Sequence, residues 1–325
     1  MKIAIYGYGN LGRGVECALT QNPDMQAVGI FTRRKPEDIH PGTGIPVYAA
    51  DEVGRFKDEI DVLILCGGSA TDLPEMTPRL AADFNVVDSF DTHAVIPRHF
   101  AAVDSAAREG GHLALISAGW DPGLFSLARL YATAILPEGQ GETFWGRGVS
   151  QGHSDAIRRI PGVLDARQYT VPIDEAIELA RAGRSEGLCA RQKHRRECYV
   201  VAEDGADRAE IERQIKEMPH YFADYDTTVT FIDQAEMQAH HAELPHGGCV
   251  IRCGQTGIGE GHRAQMELRL TLGSNPEFTA NILLAYARAL ARKHARGERG
   301  CVTVFDVAPA DLLAASGEEL RAHYL

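Results

Sequence analysis

The sequence predicts an α/β fold, a doubly wound parallel sheet followed by a second α+β domain that carries a mixed or antiparallel sheet. Up to about residue 123, continuous apolar runs alternate with helical segments, as expected for a parallel sheet covered on both faces. A glycine-rich turn joins the first apolar run to the first helix. Later in the chain, apolar and polar residues alternate with a period of two over 264–272, as in a strand with one wet face.

The first part of the chain follows this alternation closely. The predicted strands are 2–6, 26–31, 61–66, 85–89 and 112–117. The predicted helices are 11–21, 72–83, 97–109 and 124–136. Because ligands of open α/β sheets bind at the carboxyl ends of the strands, the loops that follow these strands are the candidate binding site.

The second part has a different pattern, and the last segment resumes the first one. Further strands are predicted at 143–149, 166–172, 195–203, 227–233 and 248–253, with helices at 174–183, 207–217 and 276–296. Asn275 is the expected N-cap of the last helix, with Pro276 at its first position and Gly297 after its end. We therefore expect a dinucleotide-binding domain of 1–122, to which 302–325 returns, and a substrate-binding and dimerisation domain of 123–301.

The turn after the first strand reads Gly7-Tyr8-Gly9-Asn10-Leu11-Gly12. Its spacing is that of the Rossmann dinucleotide motif. The first glycine allows a tight turn, the second lets the backbone approach a pyrophosphate, and the third lets the helix pack closely on the strand. The N–H groups at the start of that helix would point at the phosphates. The motif alone is a weak signal of function.

The end of the second strand specifies the dinucleotide. Thr32 stands twenty residues after Gly12, where NAD-binding chains usually carry Asp or Glu for the ribose hydroxyl. Arg33 and Arg34 follow it, and arginine binds phosphate through paired hydrogen bonds. This pattern predicts a site for the 2′-phosphate of NADP. The alternative interpretation is a solvated basic loop.

Composition restricts the choice of partners. The chain has 325 residues and a net charge of −12, which argues against nucleic acid and anionic membranes as partners. Seven cysteines without a disulfide framework indicate a reducing compartment, so we expect a cytoplasmic protein. The first strand begins at the N-terminus and no long apolar run follows, so neither a signal peptide nor a membrane span is expected. We expect no metal site, because Cys249 and Cys253 fit one face of a strand.

A series of longer motifs resembles one enzyme family over residues 1 to about 309. The motifs are Gly7-Tyr8-Gly9-Asn10-Leu11-Gly12-Arg13, Cys66-Gly67-Gly68-Ser69-Ala70-Thr71-Asp72, Gly119-Trp120-Asp121-Pro122-Gly123, Thr143-Phe144-Trp145-Gly146, Ser150-Gln151-Gly152-His153-Ser154-Asp155, Arg158-Arg159-Ile160-Pro161-Gly162-Val163 and Pro245-His246-Gly247-Gly248. Together they are similar to the meso-diaminopimelate dehydrogenases. Generic dehydrogenases do not share them.

This resemblance implies a reaction and an assembly. The expected activity is NADP-dependent oxidative deamination of the D-configured amino centre of meso-2,6-diaminopimelate. The products would be ammonia, NADPH and L-2-amino-6-oxopimelate, which cyclises to tetrahydrodipicolinate, and the reverse reaction would supply lysine and peptidoglycan synthesis. The resemblance also implies a homodimer formed through the second domain. The alternatives are a D-amino-acid dehydrogenase of broader specificity, a dihydrodipicolinate-reductase-like enzyme, and a non-catalytic NADP sensor.

The resemblance also implies site residues. The substrate would contact Asp91, Trp120, Asp121, Trp145, Ser150, Gln151, Gly152, Thr170, Arg196, His246 and Asn275. Among these, Asp91 and Asp121 would hold the reacting amine and steer its proton, as the catalytic pair. NADP would contact Gly7, Tyr8, Gly9, Asn10, Leu11, Gly12, Thr32, Arg33, Arg34, Cys66, Gly67, Ser69, Ala70, Thr71, Ser89, Phe90 and Asp91.

Most of these residues also have an ordinary structural explanation. Asp121 could be an N-cap before Pro122, and Asn275 could be no more than a cap. Arg196 lies in a basic run, which is usually a solvated face, and in a strand it would point away from Arg195. A diaminopimelate site nevertheless needs donors for two carboxylates and acceptors for two amines. Asp88 is expected to be structural.

Overall fold

The structure, a computed structural model, describes residues 1–219, 221–259 and 261–325. It divides into two compact units, the first of 1–127 and 276–325 and the second of 128–275. The expected boundaries, 122/123 and 301/302, differ from these because the long helix after residue 275 groups with the first unit. Its Arg288 is buried there, with Nε 2.7 Å from an Asp24 carboxylate oxygen.

The elements follow the chain in this order. The strands are β1 (Lys2–Tyr6), β2 (Gln26–Thr32), β3 (Val47–Ala49), β4 (Val62–Leu65), β5 (Val86–Asp88), β6 (Leu113–Leu115), β7 (Gly139–Trp145), β8 (Gly148–Val149), β9 (Val163–Pro172), β10 (His194–Ala202), β11 (Asp226–Phe231), β12 (His246–Thr256), β13 (His262–Leu272) and β14 (Gly300–Val302). The helices are α1 (Asn10–Leu19), α2 (Leu73–Ala81), α3 (Ile96–Gly110), α4 (Leu124–Ile135), α5 (Gln151–Arg158), α6 (Asp174–Arg181), α7 (Ala190–Lys193), α8 (Arg208–Glu217), α9 (Gln234–His240), α10 (Asn275–Ala295) and α11 (Gly317–Tyr324).

The first unit contains a parallel sheet with the strand order β14-β6-β5-β4-β1-β2-β3. All of its described pairings are parallel. The order reverses between β1 and β4, which is the switch point where such folds bind their ligands. Because helices cover both faces, residues such as Ile5 and Leu63 are fully buried. The predicted Rossmann-type class is confirmed, and the turn after β1 lies beside the loop after β4.

The second unit carries two smaller sheets. Their strand orders are β11-β10-β9-β8 and β13-β12-β7, and the pairings are antiparallel except for β10 with β11. This arrangement confirms the predicted α+β domain with mixed and antiparallel pairing. One predicted strand, 143–149, is wrong as a single element. The chain leaves one sheet after Trp145, which pairs with β12, and enters the other at Gly148, which pairs with β9.

Other differences from the sequence prediction concern short elements. The strand β3 and the helices α5, α7, α9 and α11 were not expected. Most of the remaining ends differ by no more than about three residues, which is the ordinary uncertainty of a boundary drawn from sequence. No helix among the described residues is long and apolar enough to cross a membrane.

The glycine turn yields a prediction about stability. A Cβ on Gly12 would lie 2.3 Å from the Gly7 carbonyl oxygen, whereas a Cβ on Gly9 would meet nothing within 4 Å. Gly12→Ala should therefore lower the free energy of unfolding by about 1–3 kcal/mol through overpacking. Gly9→Ala is the matched control and should change it little. Urea unfolding followed by circular dichroism compares the two, and equal losses would contradict the packing role of Gly12.

Candidate active site

The turn after β1 has the geometry of a phosphate cradle. Gly7 has a φ of +99°, which an L side chain rarely adopts, and its N–H donates to the Phe31 carbonyl at 2.8 Å. A Cβ on Gly7 would lie 2.9 Å from the Cys66 carbonyl oxygen. Gly9, in contrast, faces open space at the start of α1. The turn therefore fits a pyrophosphate at Gly9, next to the unpaired N–H groups of the helix.

Tyr8 has a second role that the sequence did not reveal. Its hydroxyl donates to the buried Glu16 carboxylate, which also accepts the Thr43 N–H and Oγ1–H at 2.7 Å each. Burial and the Glu16 carboxylate raise the pKa of Tyr8 to about 12. Burial alone would raise the pKa of Glu16, but hydrogen bonds from Thr43 and Tyr8 outweigh it and keep that pKa below its usual value. The network ties the segment around Thr43 to the glycine turn.

The two arginines after β2 have different partners. The Thr32 Oγ1 accepts the Arg34 N–H at 3.1 Å, and the Arg34 guanidinium donates to the Tyr8 carbonyl oxygen. Arg33 instead forms an ion pair with Asp72, with a distance of 2.8 Å between Nη2 and Oδ1. Both arginines are exposed, whereas Thr32 is buried. The residues predicted for the 2′-phosphate thus lie at the expected strand end.

Asp88 organises the loops on the other side of β4. It is fully buried at the end of β5 and accepts Thr77 Oγ1–H at 2.8 Å, the Phe90 N–H at 3.0 Å and the Ser117 N–H at 2.8 Å. The His99 Nε2 lies 2.8 Å from the same carboxylate. The structural role expected for Asp88 is therefore confirmed by its contacts. It fixes the starts of the two loops that carry the candidate catalytic aspartates.

The loop after β5 presents Asp91 to solvent. The Asp91 N–H donates to Ser69 Oγ at 2.8 Å, and Ser69 Oγ lies 3.3 Å from Thr92 Oγ1. Ser69 belongs to the loop after β4, so this contact joins two neighbouring strand ends. Of the residues predicted here for the cofactor, Phe90 is buried and stacks on His99 at 4.1 Å between ring centroids. This packing anchors the loop that carries Asp91.

The loop after β6 carries Trp120 and Asp121. The Ala118 N–H donates to the Asp88 carbonyl at 3.0 Å. Trp120 is largely buried, with its ring edge-on to Phe125 at 5.2 Å. Because α4 begins at Leu124, Gly123 rather than Asp121 directly precedes the helix. Asp121 therefore lies two residues before the N-cap position.

Arg196, Thr170 and Tyr225 form a buried group beside the β8–β9–β10 sheet, called here the Arg196 cluster. Thr170 pairs directly with Arg196 across the antiparallel strands, so both side chains share a face. Arg196 is buried, donates to Thr170 Oγ1, and has its guanidinium carbon 3.9 Å from the Tyr225 ring centroid. Its Nε has no hydrogen-bond partner, and burial lowers its pKa. Arg195 is exposed, 3.4 Å from Glu197, as its position in the strand predicted.

Ser150, Gln151 and Gly152 lie at the start of α5, a helix that was not predicted from the sequence. Ser150 is its N-cap and accepts the His153 N–H, and its Oγ is also 2.6 Å from His153 Nδ1. A capping serine was the available signal. It was easily overlooked because α5 buries only Ser154 and Ile157, of which one is apolar.

Histidines surround the Arg196 cluster and stay neutral. Burial and the positive charge of Arg196 lower the pKa of His153 to about 3 and that of His194 to about 4. The pKa of His246 is lowered by burial as well. His194 Nε2 accepts the Trp145 N–H at 2.9 Å, and the two rings lie 5.4 Å apart. Neutral imidazoles beside a buried guanidinium suit a carboxylate ligand, since they add hydrogen-bond donors without adding positive charge next to Arg196.

Asn275 and the cysteines complete the residues considered from the sequence. Asn275 is the first residue of α10, and its N–H donates to the Leu244 carbonyl at 3.0 Å. Burial raises the pKa of the Cys66 thiol, which suits packing rather than reaction. Cys249 and Cys253 are both buried along β12. Among the described residues no group of His, Cys, Asp and Glu could hold a metal ion.

Comparisons with known proteins agree with this geometry. A family model for the diaminopimelic acid dehydrogenase C-terminal domain matches residues 119–274. The meso-diaminopimelate D-dehydrogenase of Acetivibrio thermocellus is 56% identical over 326 residues, which cover 100% of this chain and 98% of that protein. The C. glutamicum DAP dehydrogenase, solved in complex with DAP, has a TM-score of 0.94 at 46% identity and covers 100% of this chain and 99% of that one.

A third relative bears on the cofactor. An engineered D-amino acid dehydrogenase bound to NADP+ has a TM-score of 0.90 at 45% identity. The match covers 100% of this chain and 99% of that chain.

The Asp88 network can be tested through stability. Asp88→Ala removes a buried carboxylate and leaves its donors without a partner, which should cost about 3 kcal/mol or more. Asp83→Ala removes an exposed carboxylate paired with Lys57 at 2.5 Å and should cost about 0.5 kcal/mol or less. Urea unfolding of both variants gives the comparison. A small loss for Asp88→Ala would show that the two loops are held by other contacts.

Proposed function

The chain belongs to the meso-diaminopimelate D-dehydrogenase family, and we propose that it oxidatively deaminates the D-configured amino centre of meso-2,6-diaminopimelate with NADP. It is an amino-acid dehydrogenase that acts on a CH–NH2 group. The single observation that carries the substrate assignment is the buried guanidinium of Arg196, which forms no ion pair with a carboxylate among the described residues and has no hydrogen-bond partner at Nε. A simple monocarboxylic amino acid would leave such a second anion site unused.

The residues of the first unit fit NADP. The open position at Gly9 admits the pyrophosphate, and Thr32 leaves the strand end without the carboxylate that would repel a 2′-phosphate. Arg34 supplies a guanidinium charge whose described hydrogen-bond acceptor is the neutral Tyr8 carbonyl oxygen. When bound, NADP accepts a hydride from the α-carbon of the amino acid. These observations support NADP over NAD.

The acidic loops suit the reacting amine. We assign Asp91 and Asp121 to hold that nitrogen, since two carboxylates accept hydrogen bonds from an amine and stabilise positive charge on it. Loss of the α-hydrogen with its electron pair leaves an iminium carbon. Water adds to that carbon, and ammonia leaves as the C–N bond breaks, which produces the ketone. Either aspartate can accept the proton that the amine must lose beforehand.

The Arg196 cluster of the second unit suits the distal, L-configured end of meso-diaminopimelate. We assign Arg196 and Thr170 to its carboxylate, with His246 and Asn275 as further ligands. The N–H groups at the start of α5, from Gln151 and Gly152, add donors with the favourable end of the helix dipole. Trp120 and Trp145 would contact the aliphatic middle of the substrate. Ser150 orients α5 through its cap.

The proposal extends to assembly and setting. Apolar side chains of Leu130 and Ile135 on α4 and of Leu268 on β13 are exposed, which supports a homodimer formed through the second domain. A cytoplasmic role in lysine and peptidoglycan precursor synthesis follows from the proposed substrate and the unpaired cysteines. A broader D-amino-acid dehydrogenase is the second candidate, because an engineered D-amino acid dehydrogenase shares this fold at 45% identity.

One assay separates the candidates. NADPH formation should be measured with meso-, L,L- and D,D-diaminopimelate and with D-alanine. We expect the highest kcat/KM with the meso isomer, because it combines a D-centre to oxidise with an L-end to anchor. Equal activity on D-alanine would favour the broader dehydrogenase. Nucleotide binding without turnover of any amine would favour the sensor.

Substitution of Arg196 tests the anchoring role. Arg196→Ala should lower kcat/KM for meso-diaminopimelate by about 10²-fold or more, because a buried charge-assisted pair is lost. Arg195→Ala, on the opposite face, is the matched control and should change it less than about threefold. NADPH affinity, measured by fluorescence, should stay unchanged in both variants. A loss confined to nucleotide affinity would show that Arg196 contributes to nucleotide binding and not to substrate binding.

Substitution of Asp91 tests the amine site separately. Asp91→Asn should lower kcat by about 10²-fold, as expected when a group that handles the reacting proton is removed. Nucleotide affinity should change little, since Asp91 contributes mainly its side chain to the amine. Steady-state kinetics with a fluorescence titration distinguish the two. A large fall in NADPH affinity with unchanged kcat would instead assign Asp91 to the cofactor.

A further inference from the structure

Arg33 and Arg34 are neighbours in sequence but differ in charge balance. Arg33 lies 2.8 Å from an Asp72 oxygen in an ion pair. The Arg34 guanidinium donates to the Tyr8 carbonyl, which is neutral, and no described carboxylate pairs with it. Two adjacent arginines therefore present one compensated and one uncompensated charge. A doubly charged phosphate is attracted more strongly to the uncompensated one.

Asp72 is itself held in place by the loop that it follows. Its Oδ2 accepts the Gly68 N–H at 2.8 Å, and its own N–H donates to the Gly68 carbonyl at 2.8 Å. The carboxylate directly precedes α2 and is mostly buried, whereas the Arg33 side chain is 68% exposed. One oxygen thus fixes the loop and the other is left to fix Arg33. The guanidinium end of Arg33 is anchored while its face remains open to solvent.

The strand order gives this ion pair a particular position. β2 and β4 lie on opposite sides of β1, so their ends are about 10 Å apart at the usual strand spacing. Arg33 directly follows β2, and Asp72 lies at the far end of the loop that follows β4. Arg33 must cross the carboxyl edge of β1, where the glycine turn begins. The pair therefore spans the nucleotide side of the switch point. A planar guanidinium fixed there is a stacking surface for a flat base.

We propose that Asp72 is a positioning residue that holds Arg33 as the stacking surface for the adenine ring and leaves Arg34 to select the 2′-phosphate. This proposal rests on the proposed use of NADP. It revises the expectation that both arginines bind the phosphate. Asp72 acts through Arg33 and need not touch the nucleotide.

The proposal predicts different effects of the two arginines on the affinities for NADPH and NADH. If both arginines bound the 2′-phosphate, both substitutions would weaken NADPH binding selectively. NADPH and NADH differ only in the 2′-phosphate, so their dissociation constants, measured by nucleotide fluorescence without amino acid, are the readout. Arg34→Ala should weaken the binding of NADPH by about 10²-fold and the binding of NADH by less than about threefold, because a phosphate contact is lost. Arg33→Ala should weaken both nucleotides by the same factor, about fivefold, because a stacking contact is lost.

Asp72→Asn tests the positioning role itself. The amide oxygen can still accept the Gly68 N–H, but the ion pair is lost. This variant should weaken NADPH and NADH equally, by about threefold, and should add nothing in the Arg33→Ala background, since both changes remove one contact. The matched controls are Asp83→Asn and Arg55→Ala, which disturb exposed ion pairs elsewhere in the first unit. Neither should alter nucleotide affinity.

Several results would overturn the proposal. Selective loss of NADPH affinity in Arg33→Ala would show that Arg33 binds the phosphate. Tighter NADPH binding in Asp72→Asn would show that Asp72 competes for Arg33 rather than positioning it. If Asp72→Asn does not fold, the comparison of Arg33→Ala with Arg34→Ala still decides between stacking and phosphate binding. Failure of the unsubstituted protein to bind NADPH would refute the proposed function instead.

Discussion

The buried carboxylate of Asp88 is the interaction on which the first unit's active loops depend. A charge without solvent is tolerated only when enough donors surround it, and here two donors are the N–H groups of Phe90 and Ser117. The loops after β5 and β6 therefore cannot shift independently without leaving the charge unsatisfied. Both loops carry a candidate catalytic aspartate. The hydrogen bonds that satisfy the buried Asp88 carboxylate therefore also order the two loops at the surface.

Features that depend on local backbone geometry could be predicted from the sequence. Gly7 and Gly12 occupy positions that tolerate no Cβ, and the continuous apolar runs require a sheet covered on both sides. The residue type at Thr32 was informative because its place after the glycine turn is fixed by the βαβ unit. For the same reason Arg195 and Arg196 could be assigned to opposite faces of one strand.

Features that depend on contacts distant in sequence could not be predicted. Nothing near Tyr8 shows that its hydroxyl meets Glu16, or that Arg33 meets Asp72. The chain changes sheets between Trp145 and Gly148 because the flanking strands pair with different partners, and the local pattern there is that of one strand. The helix α5 was missed because Ile157 is its one buried apolar residue, whereas α6, of equal length, buries three apolar residues and was predicted.

The buried guanidinium of Arg196 has a consequence for the stability of the fold. A buried cation without a carboxylate partner among the described residues lowers the free energy of unfolding. Under the proposed function, a dicarboxylate that completes the cluster would bind only the folded form. At a concentration one hundred times its Kd, it would shift the folding equilibrium by about 2.7 kcal/mol. The proposed substrate would then also protect the protein against unfolding and proteolysis.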